Sequence, residues 1–297
     1  MNITKSYIKY FASLLMFGMN GIVASYILLS SYEIVLLRTL IGSLLLILVF
    51  IIKRQKPTLF QCKKAGLSLL LSGVAMGASW ICLYEAYQQI GVGIASLLYY
   101  CGPVIVMVLA PLLFHEKLTR AKTFGFLSVL LGMFVINMQT FNDGKNLWGT
   151  LLGILSAVLF AIMIIYNKKS KSITGLESSM WQLLFSFLTA ALFIGIKHGF
   201  VLHMEPTNLL PILILGILNT GVGCFYYFSS IGDLPLQTVA ICGYLEPLSA
   251  VVFSMLFLHE SMTITQVLGA FLIIGGVAFS ELFHTFHFGI WNKKLPA

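Results

Sequence analysis

The sequence predicts an all-α integral membrane protein with ten transmembrane helices, arranged as two inverted repeats of five helices. Three observations predict it: the apolar composition, the spacing of the long apolar runs, and an internal repeat. Of the 297 residues, 59% are hydrophobic and only 9% are charged, whereas ordinary globular chains carry about 25% charged residues. A single soluble core would not bury this much apolar surface, so most side chains are expected to face lipid or other helices.

Ten apolar stretches are long enough to cross a membrane, since a hydrocarbon core of about 30 Å needs about 20 helical residues. The connections between them are short, and none would hold a soluble domain. The first stretch follows two lysines and resembles a signal peptide, but its removal would take away a helix that the repeat requires. The predicted spans are residues 8–29, 33–52, 65–88, 93–114, 121–140, 147–167, 178–197, 207–230, 236–258 and 262–282.

The distribution of Lys and Arg predicts the orientation of these spans. Fifteen of the eighteen basic residues fall on one side of the membrane, while Lys145 and Lys197 fall on the other and Arg38 falls inside a span. By the positive-inside rule both termini are cytoplasmic, and we expect a bacterial cytoplasmic (inner or plasma) membrane. The net charge of +8 then reflects topology, and we expect contact with membrane lipid and none with nucleic acid.

A shift of 144 residues aligns the sequence with itself, almost without gaps. Each half then holds five helices, and this odd number makes the second half enter the membrane upside down. The predicted domains are residues 1–145 for the first repeat, 146–284 for the second and 285–297 for a cytoplasmic tail. The pairs that the shift brings together include Glu33 and Glu177, Gly77 and Gly221, Tyr100 and Tyr244, Pro103 and Pro247, Gly125 and Gly269, and Gly132 and Gly276.

Inverted repeats are the architecture of secondary transporters, because two near-equivalent halves can exchange inward-open and outward-open shapes. The stretch YCGPVIVMVLAPLLFHEKLT and its copy YLEPLSAVVFSMLFLHESMT resemble the EamA-type branch of the drug/metabolite transporter superfamily, as does the 5+5 arrangement. The resemblance covers about residues 5–283. The resemblance implies a cavity bounded by helices 1, 3, 4, 6, 8 and 9. It also implies a branch that includes exporters of amino acids, drugs and other metabolites.

Charged residues inside a span cost roughly 2.5–3.5 kcal/mol even on insertion scales, so each is a candidate site residue. Glu246 lies near the middle of predicted helix 9, on a stripe with Thr238, Cys242 and Ser249. Pro247 lacks an N–H, which would leave a carbonyl near Cys242–Gly243 available as an acceptor. We interpret Glu246 as a cavity-wall group that contacts substrate or a proton. The alternative is a neutral carboxyl in a helix–helix hydrogen bond.

Arg38 and Glu85 lie at similar depths below the external ends of helices 2 and 3. The cost of an unpaired charge in the membrane predicts that they are partners, either gating the external mouth or bracing the two helices. The shift by 144 residues places Gln182 and Ser229 at the equivalent positions, so the pair would belong to one half alone.

Uncharged residues complete the set of candidates. Aromatic rings could cage an amphipathic or cationic ligand, with packing or an interfacial belt as the alternative. Buried amides stand beside glycines that allow close helix approach. The full set of candidate substrate and cavity residues is Glu246, Glu85, Arg38, Tyr100, Tyr244, Trp80, Asn20 and Asn219, with Pro103 and Pro247 as helix kinks.

The sequence lacks the motifs of several enzyme classes. It contains no phosphate-binding loop of the GxxxxGK[ST] type, no zinc motif of the HExxH type and no CxxC pair. His284 and His287 are interpreted as solvated tail residues, because two ligands alone are weak evidence for a metal. We therefore expect no ATP hydrolysis by this chain, no cofactor and no metal.

These observations favour a secondary transporter that exports a small metabolite, amino acid or drug-like molecule by alternating access. Coupling to protons or to a counter-substrate is expected. A non-transporting membrane scaffold is the first alternative, although it would have no need of inverted halves. A membrane-embedded enzyme that uses Glu246 or Glu85 as an acid or base is the second, although no nucleophile or metal cluster accompanies them.

Overall fold

The computed structural model describes residues 3–137, 147–197, 206–258 and 263–291, and all regular structure within these ranges is helical. Three features of the sequence lie outside them: Lys145, the pair His259-Glu260, and the basic residues of the C-terminal tail. The α-helices are α1 (Ile3–Gly18), α2 (Asn20–Ser25), α3 (Ser31–Ile52), α4 (Lys63–Tyr99), α5 (Gly102–Phe114), α6 (Arg120–Asn137), α7 (Leu147–Lys169), α8 (Gly175–Lys197), α9 (Leu209–Ile214), α10 (Gly223–Ile231), α11 (Leu236–Cys242), α12 (Leu245–Leu258) and α13 (Ile264–Trp291).

Within the described ranges, seven helical segments are long and apolar enough to cross a membrane by length and composition. The segments Gly102–Phe114 and Val267–Ser280 are shorter apolar helices. Many large apolar side chains are exposed on these helices, as expected where lipid is the solvent. The chain is therefore an integral membrane protein, and the count of ten spans remains a prediction.

Helix α4 contains the predicted third span and the beginning of the fourth, and the rest of the fourth span forms α5. Tyr87 Oη nevertheless accepts a hydrogen bond from Ser96 Oγ at 3.2 Å, although nine residues of a straight helix rise about 13.5 Å. The chain must therefore turn within the stretch, and its contacts with α7 run first one way and then the other. These contacts join Ser72 to Met163, Ser79 to Ser156, Ile90 to Gly149 and then Leu98 to Gly153.

Several predicted spans are divided by local breaks. The first is divided at Met19 into α1 and α2, and the ninth is divided at residues 243–244 into α11 and α12. The eighth span begins with a short 3-10 turn, which is followed by α9, by a π-helix over Leu215–Val222 and by α10. A π-helix adds a residue to the turn and is rare, often occurring at functional sites.

Helix α3 begins at a capping box that the sequence encodes locally. The side-chain oxygen of Ser30 accepts a hydrogen bond from the Glu33 N–H at 3.3 Å, and the Glu33 carboxylate accepts one from the Ser30 N–H at 2.8 Å. Both groups satisfy helix donors that would otherwise lack partners. The cap fixes where α3 enters the membrane and thus the depth of Arg38, two turns further on.

Helices α6 and α13 pack against each other through small residues, and the sequence shift of 144 residues relates them. Ser128 Oγ donates to the carbonyl of Leu272, its own equivalent, at 2.9 Å. The contacts run antiparallel around this point, so these two equivalent helices have opposite directions, as inverted halves would require. A Cβ added at Gly125 would lie 2.5 Å from the Gly276 oxygen, and one added at Gly132 would lie 2.7 Å from the Gly269 oxygen.

We predict that Gly276→Ala destabilises the protein and that Gly275→Ala does not. The added Cβ at Gly276 would meet the Gly125 oxygen at 2.5 Å, whereas one at Gly275 would have no atom within 4 Å. Overpacking of this kind costs about 1–3 kcal/mol, while alanine improves helix propensity at the open position. Thermal unfolding of the two purified variants in detergent measures the difference; equal unfolding temperatures would contradict the close helix contact.

Candidate functional site

A cavity of about 570 Å³ lies between the two halves. It is bounded by α1, α2, α4, α7, α10 and α12, which correspond to the helices that the resemblance implied, and by α3 in addition. The described residues that line it include the charged pair Arg38 and Glu246, a largely aromatic wall, and a few polar groups. The aromatic members are Phe17, Trp80, Tyr84, Tyr87, Tyr99, Tyr100, Phe160, Tyr227 and Phe228, and the polar ones include Asn20, Gln88 and Ser96.

The cavity is closed at one end by a layer of tyrosines. Tyr10 Oη donates to the Val239 carbonyl at 2.7 Å, and the rings of Tyr10 and Tyr227 lie 5.4 Å apart. Tyr244 Oη donates to the carbonyl of Tyr100, its equivalent in the other half, at 2.8 Å. Tyr10, Tyr100 and Tyr227 also line a separate void of about 10 Å³, which is room for about one water. At the opposite end the rim includes the exposed residues Gly21 and Gln88.

Glu246 lies in the first turn of α12 and lines the cavity. Its carboxylate forms no hydrogen bond with another described residue, which argues against the alternative of a carboxyl held in a helix–helix hydrogen bond. The predicted polar stripe is wrong for the residues before Glu246, because the break at residues 243–244 separates them from the helix that carries Glu246. Thr238 and Cys242 are buried in α11, and Ser249 Oγ donates to the Glu246 carbonyl at 2.8 Å.

Pro103 and Pro247 begin new helices instead of kinking continuous ones. They occupy the first turns of α5 and α12, directly after breaks in the helical backbone. Proline is tolerated there because the first-turn N–H groups have no partner within the helix. The free carbonyl expected beside Pro247 is also not present at Gly243, whose oxygen accepts from the Glu246 N–H at 3.1 Å.

The predicted partnership of Arg38 with Glu85 is wrong. Glu85 forms an ion pair with Lys197, with 2.9 Å between Oε2 and Nζ, and it does not line the cavity. Lys197 also donates to Tyr32 Oη at 3.1 Å. Lys197 lies at the end of its predicted span and is the last residue of α8, from which it reaches Glu85 on α4.

Arg38 is 3% exposed and is held by uncharged groups. Its Nε donates to Thr220 Oγ1 at 2.9 Å, and its Nη2 donates to Asn20 Oδ1 at 3.4 Å. Its Cζ lies 4.5 Å from the centroid of a Trp80 ring, within the range of a cation–π contact. Asn219 acts behind Asn20, since its Nδ2 donates to Asn20 Oδ1 at 3.0 Å.

Five of the eight substrate and cavity candidates line the same cavity: Glu246, Arg38, Trp80, Tyr100 and Asn20. Asn219 and Tyr244 support the wall from behind, and Glu85 lies elsewhere. Thr220 is not among the residues predicted from the sequence, although it stands beside Asn219 in a run of small residues. Its role depends on the π-helix, which no hydrophobic periodicity would reveal.

A model of the EamA-like transporter family matches residues 4–138 and 147–282, one match to each half of the chain. The chain belongs to this family. Its relatives include the uncharacterized transporter YxxF of Bacillus subtilis, 26% identical over 91% of this chain and 88% of the relative. The uncharacterized transporter YoaV of the same organism is 26% identical over 81% and 84%.

A solved crystal structure with 16% identity matches the fold with a TM-score of 0.82, covering 94% of this chain and 98% of its own. At this identity the likeness concerns the fold alone. Membership in the EamA-like family gives the protein a transporter role with a small-molecule substrate.

We predict energetic coupling between Glu85 and Lys197 and none between Glu85 and Arg38. Because Lys197 is 40% and Glu85 18% exposed, the coupling energy should stay below about 1 kcal/mol, as for exposed ion pairs. Double-mutant cycles with Glu85→Gln, Lys197→Met and Arg38→Gln, followed by thermal unfolding, measure both terms. A larger coupling with Arg38 than with Lys197 would restore the partnership that the structure rejects.

Proposed function

We propose that this chain is a secondary transporter that exports a small amphipathic molecule across the bacterial cytoplasmic membrane by alternating access. The observation that carries the proposal is the cavity itself. It lies between two inverted halves, has a rim at one end and is closed by tyrosines at the other. Its volume of about 570 Å³ falls within the roughly 300–1,000 Å³ of small-molecule sites.

The proposed orientation makes this an outward-open state. Positive-inside topology puts both termini in the cytoplasm, so the rim at Gly21 and Gln88 faces outward and the tyrosine layer faces inward. Export then requires a second state in which the layer opens and the outer rim closes. The relation between the halves supports this exchange, since each can adopt the conformation that the other has now.

The inner closure is reinforced at the connection between α10 and α11. Glu116 from the first half accepts hydrogen bonds from the N–H groups of Leu236 and Gln237 at 2.7 and 3.1 Å. Lys168 Nζ donates to the carbonyls of Ile231 and Gly232, each at 3.1 Å, and to that of Leu234. Ser6 Oγ donates to Asp233 Oδ2 at 2.7 Å. Groups from α1, α7 and the α5–α6 connection therefore hold this segment, and inward opening would separate some of them.

The first prediction of this proposal concerns Glu246. We expect at least one radiolabelled amino acid, amine, nucleoside or drug-like cation to accumulate in proteoliposomes under a proton gradient. Glu246→Gln keeps the size of the side chain and removes its titration, so it should abolish pH-dependent accumulation and retain exchange. Glu246→Ala should weaken substrate affinity about tenfold or more, because a hydrogen bond to a charged group contributes about 1.5–3 kcal/mol.

Two results would count against these roles. A wild-type pH profile in Glu246→Gln would remove the proton role, and an unchanged affinity in Glu246→Ala would remove the substrate contact. If no compound in the panel moves in either direction with the wild-type protein, the proposal of transport itself loses its support.

A further prediction concerns the inner closure. Lys168→Met removes three donors to the α10–α11 connection, whereas Lys169→Met changes an exposed neighbour and serves as the control. With the five native cysteines replaced and Val239→Cys placed beneath the tyrosine layer, a membrane-impermeant maleimide should label inside-out vesicles faster in Lys168→Met. Equal labelling rates in the two methionine variants would mean that Lys168 does not hold the inner side closed.

A further inference from the structure

Arg38 is a buried cation whose charge no described acidic residue neutralises by contact. Glu246 lines the same cavity, yet the two do not form an ion pair, and the acceptors that Arg38 has are an uncharged hydroxyl and an uncharged amide. Within the described ranges, the ion pair that does occur is that of Lys197 with Glu85. A charge in an apolar environment is costly unless it is paired, so an anionic ligand group would stabilise this guanidinium.

Three of the five N–H groups of Arg38 donate to no described residue. A guanidinium carries five N–H groups in a planar fork. The edge formed by Nε and Nη2 is taken by Thr220 and Asn20, which leaves both N–H groups of Nη1 and the second of Nη2. One N–H from each nitrogen points the same way, and such an edge binds a carboxylate with two parallel hydrogen bonds.

The guanidinium is held in place from three sides. Trp80 covers one face at 4.5 Å. Thr220, with a fully buried side chain, donates its own hydroxyl proton to the Leu215 carbonyl at 2.8 Å, which turns its oxygen lone pairs toward the Arg38 Nε–H. Asn20 Oδ1 accepts from Arg38 and is itself fixed by Asn219. The side chain is therefore preorganised, and a ligand would not have to immobilise it.

The π-helix fixes Thr220 at the required distance from α3. A Cβ added at Gly42 of α3 would lie 3.0 Å from Thr220 Cγ2, and one added at Gly216 would lie 2.6 Å from Ile41 Cβ. The backbones of α3 and the π-helix thus approach closely about one turn along α3 from Arg38. This packing leaves little room for Thr220 to move relative to Arg38.

The equivalent pair of residues in the other half carries no charge. A shift of 144 residues turns the pair Arg38–Thr220 into the pair Gln182–Met76, and Gln182 Nε2 does contact Met76 Sδ, at 3.7 Å. The geometry of the pair is therefore shared by both halves, while its charge belongs to one. Gln182 is fully buried and also accepts from Asn167, as expected of a packing role.

We infer that Arg38 is a carboxylate subsite of the cavity, with Thr220, Asn20 and Trp80 as the residues that position it. This inference rests on the proposed function, because it assigns the transported molecule a carboxylate group. The aromatic walls accommodate an apolar or aromatic remainder. Thr220 is a positioning residue, since it acts on the ligand through Arg38.

Matched carboxylate and amide compounds test the subsite without knowledge of the substrate. The probes are acetate and acetamide, benzoate and benzamide, 3-phenylpropionate and its amide, and phenylalanine and its amide, at matched ionic strength. Ligand binding raises the thermal stability of the purified full-length protein. At least one carboxylate should raise the unfolding temperature more than its amide does. The affinity derived from these shifts should be about tenfold or more higher for the carboxylate, as expected for a charge-assisted bidentate contact.

The variants separate a subsite from a general salt effect. Arg38→Gln should abolish the preference for the carboxylate, and Thr220→Val should reduce it, while Thr220→Ser keeps the hydroxyl and should retain it. Lys197→Gln removes a cation outside the cavity and should leave the preference unchanged. If no pair of probes is distinguished by the wild-type protein, or if Thr220→Val and Thr220→Ser behave alike, the inference is overturned even where Arg38→Gln fails to fold.

Flux through proteoliposomes distinguishes this inference from the proposed function. A carboxylate preference in the stability measurement without any flux would leave the subsite standing and remove the transport proposal. Flux of a compound that lacks a carboxylate, unaffected by Arg38→Gln, would do the reverse.

Discussion

Helix ends leave backbone N–H and C=O groups without partners inside the helix, and these groups need partners from other parts of the chain. The structure meets this requirement mainly through contacts between distant segments. Glu116 binds the N–H groups that begin α11, and Lys168 binds the carbonyls that follow α10. Glu177 does the same for the α3–α4 connection, where it accepts from Thr58 and Leu59 N–H at 2.6 and 3.0 Å. The same contacts that satisfy the backbone therefore tie the helices together.

This requirement also explains why the halves can be alike in geometry and unlike in chemistry. Gly125 packs closely against Gly276, and Ser128 donates to the carbonyl of its equivalent, Leu272. These contacts lie about an approximate two-fold axis between the halves. The hydrogen bond from Tyr244 Oη to the carbonyl of Tyr100 also joins equivalent positions. Charge is not bound by this symmetry: Glu246 stands opposite Gly102 in the shift, and Arg38 opposite Gln182. The backbone geometry is therefore shared by the two halves, whereas these two charges are not.

The positions of the charges show why depth in a sequence is a poor guide to pairing. Arg38 and Glu85 lie at similar depths in adjacent predicted spans, yet each points to a different neighbour. Arg38 turns to the π-helix and the cavity, whereas Glu85 meets Lys197 at the end of α8. Rotation about the helix axis decides this choice, and it depends on how the helices pack around the cavity.

The sequence by itself determined the membrane character, the all-helical class and the repeat, because composition and a shift of 144 residues are properties of the chain order. It also singled out Glu246, Arg38, Trp80, Tyr100 and Asn20, since polar and aromatic groups in apolar spans stand out against their neighbours. Tertiary structure alone decided which of these groups share a cavity, that α4 turns without losing its helical conformation, and that a π-helix brings Thr220 to Arg38. The physical reason is that these features arise from side-chain contacts between segments far apart in the chain, and the periodicity of one segment carries no information about the partner it will meet.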